Sequence, residues 1–215
     1  MAHNGVLYLD ELPEFKKSTL EALRTPIEDR MVTINRVNAS VTYPSDFMLI
    51  ASMNPCPCGF YGSEIECKCL ENSRKKYLEK ISGPLLDRID IKVQVNPVRY
   101  QDLRQNNKEE KSEIIRKRVE RARDIQYNRY KKIGIYTNSQ LFGEQIEEFC
   151  KIDKKCETLL KKAFVNLKLS ARGYSRILKV ARTIADMENS EKIEENHLLE
   201  AIQYRNLSKQ ERMLI

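Results

Sequence analysis

The chain has 215 residues, 41% of them hydrophobic, which is enough for one sizeable domain or for a core with a smaller second unit. Its mean hydropathy is −0.58, and no apolar run approaches the ~18 residues of a membrane-spanning helix, so none is predicted. Lys and Arg outnumber Asp and Glu by 38 to 31, and the formal charge of +7 favours an anionic partner, although ordinary solubility also explains it. Six cysteines without a secretion signal indicate free thiols or metal ligands in a reducing cytosol, not disulfides.

The first predicted element is a strand from Val6 to Leu9, which is continuously apolar, as in a strand buried on both faces of a parallel sheet. Because a central strand is an unusual place for a domain to begin, we expect further residues upstream. The strand ends in Asp10 and Glu11, and open α/β sheets bind ligands at this edge. Phosphoryl transfer needs a carboxylate that holds Mg²⁺ and a group that orients the attacking water, which Asp10 and Glu11 would supply. The alternative is an acidic strand end before a turn at Pro13.

The elements that follow alternate between helix and strand, which predicts a layered α/β core. Apolar spacing, β-branched residues and turn residues predict them in this order: a helix over 14–28, a β-hairpin over Met31–Pro44 with its turn near Arg36–Ala39, a buried strand over Phe47–Ala51, a short helix over 72–81 and a third strand over 89–95.

Four cysteines lie on the loop after the second buried strand, in the pattern C-x-C-x8-C-x-C: Cys56, Cys58, Cys67 and Cys69. Four thiolates are the ligand set of a tetrahedral structural zinc ion, although C-x2-C spacing is more usual. A metal would also explain how an insertion rich in Gly and Pro becomes ordered. The alternative is a set of surface thiols on a flexible loop.

The pattern becomes entirely helical after about residue 109, and we predict a division into residues 1–100 and 101–215. Helices are expected near 154–167, 170–187 and 195–205. In the second of these, Arg172, Arg176 and Lys179 share one face, opposite an apolar face formed by Tyr174, Ile177, Ala181 and Ile184. A basic face near a helix start suits a phosphate contact, and a solvated surface is the alternative.

Four strings occur in the order and spacing of the ComM/YifB (magnesium-chelatase-like) family of AAA+ ATPases: VLYLDELPEF, VTYPSDFMLIASMNPCPCG, ISGPLLDRIDI and LSARGYSRILKVARTIADME. The chain resembles this family over essentially its whole length. The resemblance implies an α/β fold, namely a partial AAA+ P-loop NTPase core from the Walker B strand onward. A β-hairpin insertion and an all-α lid would complete it.

The same resemblance implies roles for further residues around ATP and Mg²⁺. Asn54 matches sensor 1, a polar residue near the γ-phosphate, although Asn-Pro is also a turn initiator. Arg88 matches the arginine finger that reaches the neighbouring subunit's nucleotide, with a local salt bridge to Asp87 or Asp90 as the alternative. Arg172 matches sensor 2 best, and Arg176 is the second choice.

The hairpin matches the pre-sensor hairpin, which in ring-shaped relatives points into the pore and tracks DNA. Near its turn, Asn35, Arg36 and Asn38 could contact phosphates without reading sequence. A polar, solvated hairpin tip is the alternative.

The resemblance implies a hexameric, Mg²⁺-dependent ATPase of the helicase or branch-migration type that acts on single-stranded or branched DNA in recombination or transformation. The alternatives are a protein-remodelling ATPase subunit of the chelatase type and a non-enzymatic, zinc-stabilised nucleic-acid-binding module. The sequence contains no G-x-x-x-x-G-K-[ST] loop to hold the β- and γ-phosphates. We therefore expect these 215 residues alone to bind ATP poorly and to hydrolyse essentially none.

Overall fold

The computed structural model describes residues 2–37, 39–95 and 110–205. The chain forms two compact units, the first reaching to Ile89 and the second beginning at Asp90. The residues around 100, where we predicted the domain boundary, lie outside the described ranges, so the division at 100/101 stays a prediction. Among the described residues, no helix is both long and apolar enough to cross a bilayer.

The first unit contains two separate strand pairs. Strands β1 (Val6–Leu9), β2 (Met31–Arg36), β3 (Ala39–Pro44) and β4 (Met48–Ala51) follow one another along the chain. β1 pairs with β4 in parallel, with Leu9 opposite Ala51, and β2 pairs with β3 as an antiparallel hairpin. The predicted parallel strands and hairpin insertion are therefore confirmed, but the prediction that these two strands are buried was wrong, because Val6, Tyr8, Met48 and Ile50 are exposed.

Short helices flank the β1–β4 pair: a 3-10 turn at Leu12–Glu14, then α1 (Lys17–Ala22), α2 (Arg24–Asp29), α3 (Glu71–Leu78) and α4 (Gly83–Leu86). A small core consists of Leu12, Leu20 and Leu85 from these elements and of Ile81 from the segment between α3 and α4. The prediction of one continuous helix over 14–28 was wrong, because the chain breaks at Leu23. Pro26 has no amide hydrogen to donate to the carbonyl of Ala22, and α1 ends at that residue.

The predicted third strand over 89–95 was also wrong, because these residues form no strand. The backbone N–H of Lys92 donates instead to the carbonyl of Tyr204, at 2.9 Å. Alternating apolar and polar residues indicate a segment that is covered on one side by other residues. A strand also needs a neighbouring strand to accept its hydrogen bonds. The alternation alone could not reveal that this partner is a helical carbonyl.

Between residues 110 and 205 the second unit contains helices and no strand, as predicted. Its helices are α5 (Ser112–Tyr130), α6 (Glu144–Phe149), α7 (Lys154–Asn166), α8 (Ala171–Met187) and α9 (Glu195–Arg205), with 3-10 turns at Lys131–Ile133 and Asn138–Gln140. Asp153 and Ser170 cap the starts of α7 and α8 by accepting hydrogen bonds from the N–H groups of Cys156 and Gly173. Fully buried side chains from several of these helices meet in one core that includes Tyr130, Leu160, Ile177, Ala181 and Leu198.

Candidate functional site

The carboxyl ends of β1 and β4 bring Asp10 and Ser52 side by side, because the parallel register continues one residue beyond the paired strands. The Ser52 hydroxyl donates a hydrogen bond to Asp10 Oδ1. Tyr8 Oη (3.4 Å) and the Glu11 backbone N–H (3.1 Å) donate to the same oxygen. These bonds, that of Ser52 above all, hold the pKa of Asp10 below its usual value. Ser52 was not predicted from the sequence, because only the strand register places it beside Asp10.

Glu11 occupies the left-handed backbone region, with φ 50° and ψ 52°, which is uncommon for a residue other than glycine. The next N–H, that of Leu12, donates to the carbonyl of Ser52 at 2.9 Å and ties this turn to the end of β4. Backbone outliers of this kind cluster at functional sites. The exposed carboxylate of Glu11 thus belongs to a turn held in an unusual conformation directly beside Asp10.

Asn54 follows β4 by three residues, so Asp10 and Asn54 come after neighbouring strands at the same edge of the pair. Burial raises the pKa of the Tyr77 hydroxyl, while the nearby backbone N–H of Asn54 acts to lower it. The loop returns at Gly59, where a Cβ would lie 3.9 Å from the Asn54 Cγ. The Asn54 side chain is exposed while its backbone is held in place, as a residue that contacts a ligand requires.

Arg88 lies in a cleft of the first unit lined by Glu21, Arg24, Thr25, Glu28 and Asp29. Its guanidinium forms an ion pair with Glu28, and its Nη1 donates to the carbonyl of Pro84 at 2.8 Å. Only 11% of the Arg88 side chain is exposed. Glu28 was not predicted from the sequence, since it is 60 residues away along the chain.

The three basic residues of α8 have different surroundings. Arg172 is exposed near the start of the helix, whereas Arg176 pairs with Asp90. Lys179 Nζ donates to the carbonyl of Ser139 at 3.1 Å, so this lysine helps to hold a neighbouring turn. The choice between Arg172 and Arg176 as the phosphate contact stays a prediction.

The apolar face of α8 is buried at Ile177, Ala181 and Ile184, while Tyr174 lies at its margin with 39% of its surface exposed. Tyr174 packs there against Phe164 of α7, edge to face, with 6.4 Å between the ring centroids.

The second unit contains a buried group of charges that was not predicted from the sequence. Asp186 is completely buried and accepts hydrogen bonds from Arg129 Nη1 and Nη2 (3.0 and 2.5 Å), Arg182 Nε (3.2 Å) and Asn138 Nδ2 (2.8 Å). Burial disfavours the charge on Arg129, but its bonds to Asp186 outweigh that effect and raise its pKa. The i, i+4 spacing of Arg182 and Asp186 on an otherwise apolar face was the available signal.

The four loop cysteines come together, as the zinc hypothesis requires, with all four sulfurs within 4.8 Å of one another. Cys56 Sγ lies 3.4 Å from Cys58 Sγ and 3.7 Å from Cys67 Sγ, and the Cys58–Cys67 separation is 3.6 Å. A backbone hydrogen bond at Phe60 lowers the pKa of Cys58 to about 6. The neighbouring Cys58 sulfur raises the pKa of Cys69 to about 12.

These sulfur separations suit a tetrahedral metal. A regular tetrahedron with zinc–sulfur bonds of about 2.3 Å has sulfur–sulfur edges of about 3.8 Å, close to the three distances above. The other two cysteines, Cys150 and Cys156, are buried in the core of the helical unit, and burial raises the pKa of each to about 11.

The hairpin carries the predicted DNA-contacting residues at its end. Every residue of β3 is exposed, and so is Arg36. Asn35 Oδ1 accepts a hydrogen bond from the Ser40 hydroxyl at 2.7 Å, which links the two arms next to the turn. Val37 at the tip is fully exposed. Asn38 lies outside the described residues, so its predicted contact stays a prediction.

Comparison with known proteins identifies relatives along nearly the entire chain. Residues 1–103 match the model of magnesium chelatase subunit ChlI, and residues 109–205 match that of the ChlI C-terminal region. YifB of Salmonella typhimurium is 42% identical over 97% of this chain and 40% of its own length. The competence protein ComM of Haemophilus influenzae is 43% identical over 95% of this chain and 40% of its own length.

The chain thus spans about 40% of the length of these curated relatives. The two family models match the chain on either side of residues 104–108 and together extend over both units. With the parallel strands, the hairpin and the helical second unit in place, the chain belongs to the magnesium chelatase ChlI-like family that includes YifB and ComM.

Proposed function

We propose that this chain supplies part of the catalytic machinery of a Mg²⁺-dependent AAA+ ATPase. One observation carries the proposal: Asp10 and Asn54 follow neighbouring parallel strands at the same edge of the sheet. Asp10 would hold Mg²⁺ and Glu11 would orient the attacking water. Asn54 would donate a hydrogen bond to that water or to the γ-phosphate. The family match supports ATP as the nucleotide.

The remaining roles need a ring of subunits, which we propose is a hexamer. Arg88 would act as the finger for the neighbouring subunit, and Arg172 or Arg176 would contact phosphate from the lid. Since Arg88 is paired with Glu28, its guanidinium must leave that carboxylate before it can reach another subunit. ATP binding between subunits would supply the competing negative charge.

We propose DNA as the client of this motor, single-stranded or branched. The exposed hairpin, the formal charge of +7 and the similarity to a competence protein support this choice. Arg36 would contact the phosphate backbone without reading sequence, and the motor would serve as a helicase or branch-migration enzyme.

The test measures ATP hydrolysis by the full-length protein with and without DNA. We expect DNA to stimulate hydrolysis, Asp10→Asn and Glu11→Gln to abolish it, and Arg36→Ala to weaken DNA affinity and lower its salt slope by about 1. Lys151→Ala removes the same charge from the helical unit and serves as the control. If DNA stimulated ATP hydrolysis equally in the wild type and in R36A, the proposal that the hairpin contacts DNA would be refuted.

A protein client is the second candidate, because the ChlI models match both units. A chelatase-type remodelling ATPase would be stimulated by a partner protein and would ignore DNA. The same assay separates the two candidates.

We also propose that the four loop thiolates bind a structural zinc ion. Mg²⁺ prefers oxygen ligands, so a four-sulfur site fits zinc and not the nucleotide's metal. Four protein ligands leave no open position for catalysis. A reducing cytosol would keep these thiols available, and all six cysteines are free.

A further inference from the structure

The loop between Asn54 and α3 has almost no core of its own. Over residues 54–70, Cys56 is the only buried side chain, and the other residues are half-buried or exposed. Without a hydrophobic core, a loop of this length depends on the sulfur cluster and on its two ends for order.

Both ends of this loop are attached to α3 through one series of contacts. Arg74 Nη1 donates to the carbonyl of Cys69 at 2.9 Å, and the same guanidinium lies 4.4 Å from the centroid of the Tyr61 ring. Tyr61 packs against the buried pair Tyr77 and Leu78. The Tyr77 hydroxyl in turn lies near enough to the backbone N–H of Asn54, where the loop begins, for that N–H to lower its pKa.

The sulfur cluster links the beginning of the loop to its end. Cys56 is two residues from Asn54, and its carbonyl accepts the N–H of Gly59 at 3.0 Å. That bond forms the turn that brings Gly59, at φ +82°, back towards the Asn54 side chain. Cys67 and Cys69 connect the same cluster to the end of the loop that Arg74 holds.

We propose that the metal bound by the four cysteines is a positioning device for Asn54, so that metal binding and the orientation of the Asn54 amide form one coupled event. This deepens the proposed function, since it gives the metal a role beside the nucleotide edge. The metal would cross-link Cys56 and Cys58 to Cys67 and Cys69. Tyr77 and Gly59 would pass the constraint to the backbone and side chain of Asn54.

The experiment follows the Asn54 side-chain amide by ¹⁵N–¹H NMR while zinc is removed with a chelator and restored. Asn54→Asp assigns the resonance. We expect one zinc per chain, a shifted or broadened Asn54 resonance in metal-free protein, and full recovery when zinc is added back. An Asn54 resonance that is identical in zinc-loaded and metal-free protein overturns the proposal, as does a chain that binds no zinc.

Matched variants separate positioning from general damage. Cys67→Ser should abolish the zinc response, while Cys150→Ala, in the helical core, should retain it. Tyr77→Phe should move the Asn54 resonance with zinc still bound, whereas Tyr61→Phe, which keeps its ring beside Arg74, should not. If C67S unfolds, the chelator titration of the wild-type chain still decides the matter, with the resonances of Ile177 and Leu198 reporting that the helical unit is intact.

The outcome is independent of the nucleotide proposal. A zinc-coupled Asn54 amide in a protein whose ATPase rate survives Asn54→Asp would uphold the coupling and refute the proposed role of Asn54. If zinc left the Asn54 amide unchanged while N54D inactivated the protein, the coupling would be refuted and the proposed role of Asn54 upheld.

Discussion

At the scale of single residues, the Ser52 hydroxyl sets the ionisation of Asp10. Ser52→Ala removes the largest cause of the lowered pKa, so we expect the pKa of Asp10 to rise towards 3.8, observed by ¹³C NMR titration of its carboxyl group. A depressed carboxyl pKa contributes stability that is present above 3.8 and lost as pH falls through the folded-state value. The stability of the wild type and of S52A should therefore differ at neutral pH and converge in strong acid.

Ser40→Ala is the control for that substitution, because the Ser40 hydroxyl donates to Asn35 and not to a carboxylate. It should leave the Asp10 titration where it is in the wild type. An Asp10 pKa that is the same in S52A and in the wild type would show that the serine has no electrostatic effect on this carboxylate.

The Arg88–Glu28 pair gives a second prediction at the residue scale. Glu28→Gln leaves a nearly buried guanidinium without its carboxylate, so we expect the free energy of unfolding to fall by roughly 1 to 3 kcal/mol in urea titrations. Glu14→Gln breaks the exposed pair with Lys80, at 3.2 Å, and should cost less than about 1 kcal/mol. Equal losses from the two variants would contradict the idea that burial makes the Arg88 pair the stronger one.

At the scale of elements, α8 joins the helical unit through charges as well as apolar packing. Asp186→Asn removes the carboxylate that Arg129 and Arg182 share. Breaking a buried ion pair lowers the free energy of unfolding by about 3 to 5 kcal/mol. We expect a loss of that size in chemical unfolding of the helical unit. The matched variant Glu195→Gln breaks an exposed pair with Lys155, which water screens, and should cost far less. A D186N protein as stable as E195Q would show that the buried network adds nothing.

The boundaries of elements followed from sequence wherever local chemistry decided them. The hairpin over Met31–Pro44 and the start of the last helix at Glu195 could be predicted because turn residues and periodicity were unambiguous. The strand expected over 89–95 could not, because a strand depends on a partner elsewhere in the chain. The effect of Pro26 was a local signal, and weighing it would have divided the helix predicted over 14–28.

At the scale of the whole molecule, the 215 residues contain carboxylates and an amide at a sheet edge but no G-x-x-x-x-G-K-[ST] loop. Backbone N–H groups of such a loop hold the phosphates, so we expect no ATP turnover above the buffer background from this chain alone. A phosphate-release assay with Mg²⁺ and ATP tests this, with a family member that carries the loop as the positive control. Turnover by the chain that Asp10→Asn abolishes would refute the expectation.

The sequence by itself determined the family, the positions of Asp10, Glu11 and Asn54 at strand ends, and the set of four cysteines, because local patterns and adjacent residues encode these features. Only the tertiary structure decided which residues that are distant along the chain lie next to one another. It places Ser52 beside Asp10, Glu28 beside Arg88, Tyr77 beside Asn54, and Asp186 between two arginines. Each of these partners is supplied by strand register or by packing between elements. Neither leaves a periodic signal along the chain, since the contact depends on how two segments meet and not on the composition of either one.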